Sequence, residues 1–151
     1  MEKPAEILLF DYLAECQNAA AVDDVIYPLD LHDTVYQAIK DKKPNGIRIS
    51  DAVGDLAPEP GGGLKEYDVS VQIVCYAKVT GTDKKQRQDA LITVFAIQRA
   101  VCQLLIDDQS LGDRVCDVLI RSGSRGYDVL DGNPYAVANI QMVINPSGDE
   151  S

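Results

Sequence analysis

At 151 residues, 46% apolar and 25% charged, the chain has the composition of one globular domain, residues 1–151, with a single sizeable core. Its net charge of −10 argues against tight nucleic-acid binding, because binding would release few counterions. Four widely spaced cysteines without a CxxC pair, and one histidine, His32, give no metal-ligand pattern and no cofactor site.

The chain begins with a helical pattern over residues 4–20, where Ala5, Leu8, Leu9, Tyr12, Leu13 and Cys16 share one face and Pro4 suits the first turn. This segment is too acidic, and too soon interrupted by Asp11, for a secretory signal. No uninterrupted apolar run approaches the ~18 residues of a membrane span. The expectation is a protein that works inside the cell and away from membranes. Val25, Ile26 and Tyr27 suggest a short strand, stopped by Pro28. Residues 34–42 suggest a short helix capped by Asp33 and ended by Pro44-Asn45-Gly46.

Residues 46–53 read as a strand. Residues 54–66, GDLAPEPGGGLKE, read as a flexible loop in which Leu56 and Leu64 are the large apolar residues. Residues 67–80 alternate cleanly, with Val69, Val71, Ile73, Cys75, Ala77 and Val79 on one face, which favours an antiparallel strand.

Asp83 and Gln86 have the spacing of a capping box that opens the longest helix, residues 83–106. Its apolar arc covers roughly 200°, against about 100° for an ordinary surface helix. A second contact is therefore expected, on the side bearing Ile92, Ala96 and Ala100. Lys84, Lys85 and Arg87 sit in the first turn, either on a solvated face or against an acidic partner. A turn at 107–113 leads to a strand at 115–121, a polar interruption at 122–126, a continuation at 127–130, a turn at 131–134 and a last strand at 135–144. Residues 146–151 read as a frayed tail. The expected fold is α+β, with a mostly antiparallel sheet of four to five strands and the two main helices on one face.

No catalytic motif survives inspection. Gly61-Gly62-Gly63 lacks the Lys-Ser/Thr ending of a phosphate loop. Gly123-Ser124-Arg125-Gly126 falls one residue short of a nucleophile elbow and no helix follows it. A Ser-His-Asp site would need His32, in a region of weak pattern. The pairs Asp23-Asp24, Asp107-Asp108 and Asp149-Glu150 are sequence neighbours, which do not face each other on regular elements. The expectation is a protein that is not an enzyme. The cysteines suit buried, reduced positions.

Several stretches together resemble the tail terminator proteins of long-tailed bacteriophages, the lambda-type minor tail protein family. They are the strand entered through Pro44 and Gly46, the alternating strand that begins at Tyr67 and leads into the long helix, the turn SLGDRV at 110–115, and Gly126-Tyr127-Asp128 before a turn and a final alternating strand. The chain departs from that pattern in its weak first strand and in the helix-like stretch at 34–42. The resemblance implies a homo-oligomeric ring, usually a hexamer, that caps the head-proximal end of the tail tube. Such a ring stops tube growth and contacts both the tail tube protein and a head–neck protein. The setting would be the virion tail, reached by assembly in the host bacterial cytoplasm. DNA would pass through the ring without tight binding. Ile92, Ala96, Ala100, Lys84, Lys85, Arg87, Leu56 and Leu64 are then the candidate subunit or partner contacts. Another neck or head–tail joining protein remains an alternative, as does a small cytosolic α+β ligand-binding domain or enzyme.

Overall fold

The computed structural model describes residues 3–16, 21–22, 25–26, 45–49, 52–130 and 132–146. Helix α1 spans Ala5–Glu15, and strands β1, Ala21–Val22, and β2, Val25–Ile26, form a small antiparallel pair of their own. Strands β3, Asn45–Ile49, β4, Val53–Pro58, and β5, Leu64–Lys78, precede helix α2, Lys84–Asp107. Strands β6, Asp117–Leu130, and β7, Asn133–Asn145, complete the chain. The expected helix at 34–42, His32, and the pairs Asp23-Asp24 and Asp149-Glu150 lie outside the described residues.

Five strands make one wholly antiparallel sheet in the order β3-β5-β7-β6, with β4 pairing the same edge of β5 further along. The expected α+β architecture is what the chain adopts. The register explains why this sheet is specified. Val69, Val71, Ile73, Cys75 and Ala77 stand opposite Ile144, Met142, Ile140, Ala138 and Ala136, and all ten are buried. A slip by one residue would turn every one of them to the other face. Fully burying each larger side chain contributes about 1.5–3 kcal/mol.

Those inward positions form one cluster with Ala5, Leu9 and Leu13 of α1 and Val94, Ile97, Val101 and Leu105 of α2. The capping box at the start of α2 is complete: Asp83 Oδ1 accepts from the Gln86 amide at 2.8 Å, and Gln86 Oε1 accepts from the Asp83 amide at 3.3 Å. By length and mean hydropathy, 1.6 over its best window, α2 could cross a membrane, but its apolar stripe lies against the sheet.

After α2 the chain turns through Leu111, Gly112 and Asp113, all at positive φ. Such backbone is costly for leucine and aspartate, and local bonds hold it. Asp108 Oδ2 accepts from the Gly112 amide at 3.0 Å, Ser110 Oγ accepts from the Asp113 amide at 3.1 Å, and Leu111 is buried as an anchor. Asp107 accepts from the Gln103 side chain at 2.7 Å, so the Asp107-Asp108 pair serves the helix end.

Two sequence expectations are corrected. Residues 54–66 are not a loop from end to end. They form a β-hairpin in which Leu56, Ala57 and Pro58 pair with Glu66, Lys65 and Leu64, leaving 59–63 as the turn. Positive φ at Gly61 and Gly62 closes that turn, and Pro58 is tolerated because β4 is an edge strand. Residues 122–126 are not an interruption either. They lie inside β6, which absorbs one register shift between Ile120 and Ser122 and pairs with β7 along its length. Smaller differences are that β3 stops at Ile49 and that Cys116 is exposed, whereas Cys75 is fully buried.

Candidate assembly surface

β6 forms one side of the sheet, and among the described residues nothing pairs with its outer edge. An unpaired edge displays main-chain donors and acceptors that another strand can take up. Leu119, Tyr127 and Val129 are exposed along it, and Arg121 sits at the register shift.

Between β6 and the C-terminal half of α2 lies a groove of about 390 Å³, lined in part by Gln98, Arg99, Cys102, Ile106, Ser122 and Arg125. Gln98 is its structural pin. Although buried, it donates from Nε2 to the carbonyl of Asn139 at 2.9 Å and more weakly to that of Ser124 at 3.4 Å. Its Oε1 accepts from Arg125 Nη1 at 3.2 Å. Gly123 makes this reach feasible: a Cβ there would lie 2.9 Å from Gln98 Nε2 and 3.0 Å from the Asn139 carbonyl oxygen.

Cations and rings alternate along the same seam. The Arg125 guanidinium lies 4.4 Å from the centre of the Phe95 ring, and that of Arg99 5.6 Å from it. Arg87 stacks over Tyr127 at 4.8 Å, and the Tyr127 hydroxyl donates to the Arg87 carbonyl at 2.9 Å. Such pairs hold the far end of β6 against α2 and keep the guanidinium groups near an open edge. Burial pushes the Cys102 thiol up from its usual range, which disfavours the reactive thiolate.

The β4–β5 hairpin is the second surface. Val53, Leu56 and Leu64 are exposed, the latter two at 66% and 69%. Asp55, Glu59, Glu66 and Asp68 outnumber Lys65, whose side chain is buried beside the Tyr67 ring at 5.1 Å. The outer edge of β4 is likewise unpaired among the described residues.

The residues singled out from sequence fall into different places. Leu56 and Leu64 are exposed on the hairpin. Ile92 is 66% exposed on α2, but Ala96, at 8%, and Ala100, at 1%, are covered within the subunit, so the three do not form one open face. Lys84 and Lys85 are exposed, and Arg87 is engaged by Tyr127. Sequence reasoning missed Gln98 because its burial depends on packing against the sheet, and it missed Leu119, Arg121, Arg125 and Val129 as one edge because a polar, glycine-containing run at 122–126 was read as a break. The signal available was the alternation on both sides of it, which continues in one strand once a single bulge is allowed.

Sheet and surface together define a two-layer α+β domain with exposed apolar residues along β6 and the β4–β5 hairpin as well as on the outer sides of both helices. Among the described residues no group of His, Cys, Asp and Glu is placed to hold a metal ion. No protein-family model matches the sequence, and no curated protein matches it.

Proposed function

We propose that this protein is a structural subunit of a bacteriophage tail, a terminator that closes the head-proximal end of the tail tube as a ring of identical copies. On this reading it carries out no reaction. It binds its own copies, the end of the tube and a head–neck protein. The observation that carries self-assembly is the open edge of β6, with Leu119, Tyr127 and Val129 exposed along it, opposite a second open edge at β4. A sheet whose two edges are unpaired among the described residues would be an aggregation hazard for a monomer and an asset for a ring, where each edge meets a partner. The phage assignment rests on the resemblance of the stretches beginning at Pro44, Tyr67, Ser110 and Gly126. The charge of −10 suits a channel that lets DNA slide through.

Size exclusion with light scattering tests the ring, and addition to polymerising tail tube protein tests the cap. A closed oligomer, usually six subunits, that halts tube growth is the expected result. A monomer at every concentration, inert toward the tube, would overturn the proposal. The groove between α2 and β6 favours one second reading, a domain that binds a small anionic ligand between Arg99 and Arg125. Saturable binding of such a ligand by a permanent monomer would favour it.

A further inference from the structure

We infer that the subunits join head to tail through the sheet, the β3–β4 edge of one copy adding to the β6 edge of the next. This inference rests on the ring reading and specifies its contact. The first argument is topological. Across the sheet the strands alternate in direction from β4 through β5 and β7 to β6, so β4 and β6 run opposite ways. A neighbour placed in the same orientation therefore presents its β4 antiparallel to β6, and the alternation continues from subunit to subunit without reversal. A heterologous contact of this kind closes into a ring when its rotation is right.

The second argument is length. β3 and β4 together line β5 from Ala77 to Leu64, an edge comparable with the fourteen residues of β6. The third is charge. Among the described residues the groove beside β6 is bounded by Arg99 and Arg125 without acidic lining, and Arg121 lies inside the strand, whose acidic residues, Asp117 and Asp128, fall near its two ends. The β4 edge and its turn bring Asp55 and Glu59. Ile120 is level with Val71 across the sheet and Asp55 with Tyr67, so a stagger of a few residues sets Arg121 against Asp55. The symmetric alternative, β6 on β6 about a two-fold axis at Gly123, would set Arg121 of each copy against Arg125 of the other, and like charges across a strand pair repel. The fourth is apolar surface at both edges: Leu119, Tyr127 and Val129 on one, Val53, Leu56 and Leu64 on the other.

Two crippled variants test the contact. Arg121→Glu with Arg125→Glu blocks the β6 edge, and Asp55→Lys with Glu59→Lys blocks the hairpin. Circular dichroism first establishes that each remains folded. Light scattering should then find each variant alone as a monomer. An equimolar mixture should regain assembly beyond the dimer, because original contacts between the two variants alternate with doubly reversed ones, glutamate on β6 against lysine on the hairpin. A variant carrying all four reversals should recover part of the wild-type assembly. Rings from either variant alone, with wild-type rings intact, would overturn this contact and leave the ring reading standing. Dimers of the hairpin variant alone would show β6 on β6 and overturn it too. A monomeric wild type would remove the ring reading itself.

Discussion

The side-chain amide of Gln98, buried in the middle of α2, donates to the main-chain carbonyl of Asn139 on β7 at 2.9 Å. One polar residue thus ties the long helix to the sheet beside the shifted register of β6. Gln98→Leu keeps the bulk but removes both the bond to that carbonyl and the acceptor of Arg125, at a cost of about 1–3 kcal/mol. For a chain of this size each kcal/mol lowers the melting temperature by roughly 2–4 °C. Gly123→Ala should act in the same direction, since its Cβ meets Gln98 and the Asn139 carbonyl, whereas nothing lies within 4 Å of a Cβ at Gly126. Thermal melting should therefore rank Gly126→Ala near the wild type and Gly123→Ala clearly below it. Equal melting of the two would refute the pinning role.

Ile92 and Ala100 make a second contrast on α2. Ala100→Glu places a carboxylate where 1% of the residue is exposed, which costs several kcal/mol and should unfold the subunit. Ile92→Glu, on a 66% exposed position, should leave circular dichroism and melting unchanged. Ala96→Glu is expected to behave like the Ala100 variant, because 8% exposure leaves no room for a charge. A well-folded Ala96→Glu protein would show that this side of the helix opens readily.

Stability should decline in alkali. Burial first, then a hydrogen bond with Cys16 and the nearby charges of Asp108 and Asp107, raise Tyr12 from 10.0 to about 12. Burial, with a smaller effect of Cys102, likewise pushes the Cys75 thiol up from 9.0. In both cases the folded state holds a proton that the unfolded chain releases sooner. Their contributions are complete below about pH 9 and drain away as pH rises, through 9 for Cys75 and across 10 to 12 for Tyr12. Denaturant midpoints at rising pH should follow this decline, and Tyr12→Phe should flatten it above pH 10. An unchanged slope in that variant would assign the loss elsewhere.

The four thiols should label in the order of their exposure. Cys116 is exposed, Cys16 and Cys102 are half-buried and Cys75 is buried. A thiol reagent followed by mass spectrometry should modify Cys116 at once in the native protein. Cys75 should react only at the rate of global unfolding, since the thiolate needed for attack is both inaccessible and disfavoured. Early modification of Cys75 would mean that the sheet opens locally at that position.

Much of the fold was legible because it rests on local chemistry. The alternation from Val69 to Ala77 needs only a two-residue period, and the Asp83–Gln86 capping box needs only a three-residue spacing. The turn at 110–115 and the last strand were equally local. Pairing between distant segments was not legible. Residues 54–66 are rich in glycine and proline, yet they form a hairpin because β5 extends beyond β3 on the edge opposite β7, and main-chain hydrogen bonds do not depend on side-chain pattern.

Sequence by itself determined the antiparallel α+β class, the span of the long helix and the inward face of the central strands, since periodicity and capping act within a few residues. Only the tertiary structure decided which of the apolar residues on α2 stay outside. Ile92, Ala96 and Ala100 look alike by helical spacing, but the subunit covers two of them and leaves Ile92 open. It also decided that Gln98 meets Gly123 and Arg125, the latter 27 residues away in the chain, in one seam, because burial and contact depend on how layers pack and not on the order of residues.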